Sequence, residues 1–125
     1  MLPENTTATD KLLWPQEEGQ LAIDVLETPD SLIIRSAIAG VREQDLEVNV
    51  NDDIVTIRGE RRVDTINSSA TVHYEECFWG SFSRSVILPC KVRAEEAQAT
   101  MKNGVLTITI PKAKEITRLA IRRES

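Results

Sequence analysis

The chain has 125 residues, a formal net charge of −5, and is 41% hydrophobic and 28% charged, the make-up of one folded domain long enough to bury a core of its own. The acidic balance argues against nucleic-acid binding, which rests on cations facing phosphates; the one basic cluster is Arg118, Arg122 and Arg123 near the end. Apolar runs are far short of a membrane span, and the opening MLPENTTATD has neither a basic start nor an apolar stretch, so no membrane partner and a cytoplasmic location are expected.

In chain order the dominant period is two, the period of strands. Leu21, Ile23 and Val25 alternate with other residues, Pro29-Asp30 marks a turn, and an apolar run follows over residues 32–38. Residues 46–50, Leu-Glu-Val-Asn-Val, form an alternating strand, and Val55-Thr56-Ile57-Arg58 resumes the alternation after Asn51. With Asp52-Asp53 as the loop, Val50 faces Val55 and Val48 faces Ile57. Residues 80–89 give a further strand ending at Pro89, and residues 92–96 carry the only helix-like signal, one or two turns long. Asn103-Gly104 then supplies the two positive-φ residues of a type I′ hairpin turn. That loop sets Met101 opposite Leu106, Ala99 opposite Ile108 and Ala97 opposite Ile110. Pro111 has no amide hydrogen to give a neighbouring strand, which is expected to close the last strand and release a tail.

Seven to nine short strands in one small domain predict an all-β fold, two antiparallel sheets packed face to face as a β-sandwich. Residues 61–73, RRVDTINSSATVH, are too long and polar for a hairpin loop. A short strand at the far end of this segment, over Ala70, Thr71, Val72, His73 and Tyr74, is expected to be held out where it can pair with another chain's sheet edge.

Chemistry-bearing constellations are missing. His73 is the only histidine, and Cys77, four places along a strand, stands roughly 13 Å from it, beyond hydrogen-bond reach. There is no GxxxxGK[ST] loop and no GxGxxG turn, so no nucleotide cofactor is expected. Cys77 and Cys90 lack CxxC spacing, and with one histidine they cannot close a tetrahedral metal site within one chain. Free thiols are the expected state of the two cysteines, a disulfide the alternative. Catalytic, cofactor and metal residues are accordingly none.

Four segments, taken together and in order, resemble the small heat shock proteins, whose shared unit is the α-crystallin domain. The strongest is Ala99-x-Met101-x-Asn103-Gly104-Val105-Leu106 with its trailing Ile110-Pro111-Lys112, similar to the family's A-x-x-x-n-G-V-L and I-P-K. Gly80-Ser81-Phe82-Ser83-Arg84-Ser85-Val86-Ile87-Leu88-Pro89 looks like its G-x-F-x-R-x-x-x-L-P strand, and Leu119-Ala120-Ile121 like its I/L-x-I tail motif. Ala39-Gly40-Val41 with Asp45-Leu46 resembles P-G-V-x-x-x-D-I, with Ala39 where proline is usual.

The resemblance implies an immunoglobulin-like sandwich and an ATP-independent holdase that binds partly unfolded clients through apolar surface. It divides the chain into an arm over residues 1–20, a domain over 21–112 and a tail over 113–125. In the family a Leu-x-Ile pair enters a groove at the sandwich edge, here expected between Leu46, Val48 and Val50 on one strand and Ala99 and Met101 on another. Burying Leu119 and Ile121 is worth roughly 3 to 6 kcal/mol gross, while fixing each tail residue costs about 1 to 2 kcal/mol. Single contacts are therefore weak, and several acting at once hold an oligomer. In bacterial, archaeal and plant relatives a loop like that at 61–73 carries a strand that pairs with the partner subunit. The chain is thus expected to bind itself, as a strand-exchanged dimer and in larger homo-oligomers.

Arg84 shares the apolar face of Phe82, Val86 and Leu88 by parity, and a charge there needs a partner. The family places an arginine here near the subunit interface. Relatives often carry longer, aromatic-rich arms, whereas the arm here offers one apolar patch, Leu12, Leu13 and Trp14. A different class with the same sandwich, the p23-like co-chaperone adaptor, is the competing reading; an adaptor needs neither the Leu119-x-Ile121 tail nor the long loop.

Overall fold

The computed structural model describes residues 19–63, 69–114 and 118–124. Eight strands are present: β1 Gly19–Gln20, β2 Asp24–Glu27, β3 Ser31–Ala37, β4 Leu46–Asn51, β5 Ile54–Arg61, β6 Gly80–Ile87, β7 Gln98–Lys102 and β8 Val105–Pro111. They form two four-stranded sheets, β1-β6-β5-β4 and β2-β3-β8-β7. All pairs are antiparallel except the two-residue contact of β1 with β6, which is parallel and departs from the wholly antiparallel expectation.

Alternation builds the core. Leu32 and Ile34 of β3, Val55 and Ile57 of β5, Phe82 of β6, and Leu106, Ile108 and Ile110 of β8 are buried, with Leu21, Ile38 and Leu88 added from the links between strands. These are every-other residues on the central strands, so two apolar faces close on each other. Ser36 is the one buried polar residue among those described, and its hydroxyl donates to the Ala22 carbonyl at 2.8 Å.

Both predicted hairpins hold their register. Met101 pairs with Leu106 and Ala99 with Ile108, while Val50 pairs with Val55 and Val48 with Ile57. Asn103 and Gly104 take φ of 53° and 75°, the double-positive geometry of a type I′ turn. In the other hairpin only Asp52, at φ 54°, enters the left-handed region, so that turn is built differently.

Three expectations need correction. Leu21 and Ile23 are not in a strand; they belong to the link between β1 and β2. Pro111 closes β8 but does not yet release the chain, because its carbonyl accepts from the Arg93 amide and the Ala113 amide donates to the Lys91 carbonyl, each at 2.9 Å. Residues 70–74 form no strand: they are exposed and make no ladder pairing. A strand needs a neighbour's backbone groups to pair with, and these residues meet none in this chain.

Candidate functional site

The order of the strands decides where an open groove can exist. Each sheet has two outer strands, β1 and β4 in one, β2 and β7 in the other. The three-residue link from β1 to β2 is too short to cross the sandwich, so β1 and β2 flank the same side. β4 and β7 are therefore left facing each other along the opposite side.

That side carries the predicted groove residues. Leu46, Val48 and Val50 alternate inward on β4, half-buried against the core, with Glu47, Asn49 and Asn51 pointing out. Met101 is likewise half-buried on β7, whereas Ala99, opposite the buried Ile108, is itself exposed. Edge position explains the partial burial: strands on only one flank leave the far half of each inward side chain uncovered. Ala97, half-buried just before β7, belongs to the same margin and was not anticipated.

The tail lies away from its own groove. Leu119 is 80% exposed and Ile121 98% exposed. Two aliphatic side chains spaced to share one side of an extended segment thus stand in solvent, while the apolar edge of β4 and β7 is left partly open.

Of the other predicted residues, Arg84 sits on the opposite side. Arg84 is half-buried on the inward face of β6, paired with the buried Ile57, and its Nη1 donates to the Leu21 carbonyl at 3.3 Å. Parity placed it correctly, and within one chain the link at the β1 edge supplies a partner. The segment before β6 passes this edge, since a Cβ built on Gly19 would stand 2.7 Å from the Phe78 ring. Ala70, Thr71, Val72, His73 and Tyr74 are all exposed, Tyr74 by 88%. β2, an outer strand, pairs with β3 alone, and Asp24, Val25, Leu26 and Glu27 are exposed along it. The apolar patch Leu12, Leu13 and Trp14 lies outside the described residues.

Arg61 was missed, though the signal that found Arg84 points to it too, because it follows Val55, Ile57 and Gly59 at period two. Its Nε donates to the Ala39 carbonyl at 2.7 Å, its Nη1 to the Phe78 carbonyl at 3.2 Å, and its guanidinium sits 5.7 Å from the Phe82 ring centroid. It ties the segment before β6 to the turn after β3.

Among the described residues no cluster of His, Cys, Asp and Glu is arranged to hold a metal ion, and no helix is long and apolar enough to cross a membrane. The geometry is that of a β-sandwich with an apolar edge along β4 and β7, an exposed segment over residues 70–74, and an exposed aliphatic pair at Leu119 and Ile121.

Comparison with known proteins identifies the group to which this arrangement belongs. The model of the Hsp20/alpha crystallin family matches residues 24–123. The chain belongs to that family, the small heat shock proteins with an α-crystallin domain. It is 34% identical over 99 residues to the 17.8 kDa class I heat shock protein of Arabidopsis thaliana, covering 78% of this chain and 63% of that one, so it spans less than two thirds of this relative's length. Heat shock protein 16.0 from Schizosaccharomyces pombe has a TM-score of 0.73 at 32% identity, with 84% of this chain and 77% of that chain covered. A small heat-shock protein from Xylella fastidiosa, whose structure shows a distinct high order structure, has a TM-score of 0.68 at 28% identity, covering 84% and 96%.

Proposed function

We propose that this protein is an ATP-independent holdase in the cytoplasm, binding partly unfolded clients and preventing their aggregation without a chemical step. Family membership supports a chaperone role. The observation that carries the finer reading is the pairing of a half-covered apolar edge, Leu46, Val48, Val50 and Met101, with a tail whose Leu119 and Ile121 stand in solvent. The tail of one copy fills the edge of another; release opens the same edge to clients. Many weak contacts suit this exchange, since each opens without unfolding the sandwich.

On the other flank, residues 70–74 of one copy add to the free edge of β2 in a second, giving a strand-exchanged dimer. Arg84, already turned toward that flank, supports the interface, and Leu12, Leu13 and Trp14 add apolar surface for clients. The arm, domain and tail divide at residues 20 and 112.

The test is light scattering of a heat-labile client, without ATP, with and without the full chain, alongside the protein's native mass. Suppressed aggregation and an oligomeric mass are expected. Unsuppressed aggregation at excess protein together with a monomeric mass would refute the holdase reading.

A further inference from the structure

The stretch between β5 and β6, residues 62–79, is fastened at its base by two consecutive arginines. Neighbouring side chains on an extended chain turn to opposite sides. Arg61, at the inward parity, bridges two carbonyls with one guanidinium, Ala39 through Nε at 2.7 Å and Phe78 through Nη1 at 3.2 Å, beside the Phe82 ring. Phe78 belongs to the returning limb. One side chain therefore ties the exit of the stretch to its return, just beyond the last β5–β6 pair, Arg61 with Gly80. The planar fork of a guanidinium suits two acceptors at once, whereas an ammonium is a point donor on a flexible stem.

Arg62 reaches a different partner: its Nε donates to Asp45 Oδ1 at 3.2 Å. The Asp45 side chain is only 8% exposed, and its second oxygen, Oδ2, accepts from Arg42 Nε at 3.1 Å. By distance and exposure the two cations are near equivalents, at 61% for Arg42 and 57% for Arg62. They differ in what they hold. Arg42 lies three residues from Asp45 within one turn, whereas Arg62 lies 17 residues further on, on the outgoing limb. The first bond stiffens a turn; the second fastens the outgoing limb to it. Ala39 and Asp45 both belong to the link between β3 and β4, so that link receives both arginines.

We propose that Arg61 and Arg62, acting with Asp45, are positioning residues for self-assembly: they clasp the base of residues 62–79, so that residues 70–74 are offered to a second copy from a fixed root. This rests on the strand-exchange reading above and adds the device that aims the strand. Residues 70–74 make no ladder pairing of their own in this chain, so their direction is inherited from the base. A segment with pinned ends has less freedom left to lose when it is ordered against a partner. None of the three residues needs to touch the second copy.

Analytical ultracentrifugation of the full chain over a concentration series, beside urea unfolding of dilute samples, tests this. Arg62→Ala leaves Asp45 its bond to Arg42, so no buried carboxylate is stranded. It should raise the concentration of half-assembly about 3- to 10-fold, the range for one group that must be immobilised again on binding, with the urea midpoint unchanged. Arg62→Lys should recover part of that loss. Arg61→Ala should weaken assembly at least as much, because it frees the returning limb, and Arg61→Lys should recover less, because one ammonium does not replace the fork. Arg42→Ala takes a cation from the same carboxylate but frees no residue of the stretch, and should leave assembly within about 2-fold of the parent. Equal losses for Arg42→Ala and Arg62→Ala would reduce both to supports of Asp45 and overturn the proposal. So would losses of assembly that simply track the urea midpoint across the set.

Thr71→Pro/Val72→Pro separates the clasp from the reading beneath it. Two adjacent prolines remove an amide hydrogen at both parities of a pairing strand, and neither residue has a ladder pair in this chain to lose. If the double proline variant weakens assembly while Arg61→Ala and Arg62→Ala do not, the clasp fails and strand exchange survives. If the double proline variant assembles like the parent, strand exchange itself fails, and the inference with it.

Discussion

The Phe82 ring presses on the backbone of Gly59: a Cβ built there would stand 2.5 Å from Phe82 Cζ and 2.9 Å from Leu46 Cδ2. Gly59 is the partner of Leu46 on one side and of Phe82 on the other. It lies on the inward face of β5, where Val55 and Ile57 are buried, and by having no side chain it lets a ring from β6 reach across toward the groove strand. Core and groove wall are thus coupled through a position that holds no side-chain atoms. Gly59→Ala should destabilise the fold by about 1 to 3 kcal/mol, the cost of overpacking a filled core. Urea unfolding reads it, and the cost should shrink in a Phe82→Leu background; equal costs in both backgrounds would mean that the ring is not the obstacle.

Gly104 illustrates the opposite case. Its φ is +75°, and the nearest atoms to an added Cβ are 3.9 Å away, so space is available and only the backbone conformation resists. Gly104→Ala should cost about 1 to 2 kcal/mol from left-handed strain alone. Asn103→Gly, at φ 53°, should change stability by less than half as much, because asparagine already tolerates that region. Thermal unfolding of the two variants side by side checks the ranking, and a larger loss for Asn103→Gly would contradict it.

Arg84 supplies a test of the other flank. Its Nη1 donates to the Leu21 carbonyl, and removing the guanidinium takes a charge-assisted hydrogen bond from the link that joins the two sheets. Arg84→Ala should lower stability by about 1 kcal/mol or more and reduce the native mass, whereas Arg84→Lys should recover part of the mass. Native mass spectrometry across concentrations is the check; an unchanged oligomer with lowered stability would confine Arg84 to a role within one chain.

How much of this was legible in the sequence depended on whether a feature is local. The Asn103-Gly104 hairpin and the Val48-to-Ile57 register follow from turn chemistry and period two, both contained within a dozen residues, and both were placed correctly. Arg84 was found because a charge at an apolar parity position is conspicuous. Arg61 obeys the same rule, but its partners, Ala39 and Phe78, lie 22 and 17 residues away, and nothing in the local pattern foretells that meeting. The parallel β1–β6 contact also escaped, since two residues are too few to show any period. Residues 70–74 show the limit differently: they lie in no strand of this chain, and the pairing proposed for them needs a second copy, which no pattern within one sequence displays.

The tail gives the sharpest separation between fold and assembly. Leu119 and Ile121 contribute little to the sandwich, being 80% and 98% exposed, so Leu119→Ala/Ile121→Ala should leave the unfolding of a dilute sample within about 0.5 kcal/mol of the parent. If the pair fills the groove of a second copy, the same change removes most of the apolar area that each contact buries. The native mass should then fall to that of the strand-exchanged dimer proposed above. Analytical ultracentrifugation and urea unfolding on one preparation distinguish the outcomes. A lower mass with unchanged stability is the expected pair, while a stability loss of about 2 kcal/mol would mean that the two side chains pack on their own domain. Chaperone assays on that variant carry the argument one step further. An edge no longer covered by tails should bind clients at least as well per subunit, unless assembly itself is what gathers enough edges to hold a client.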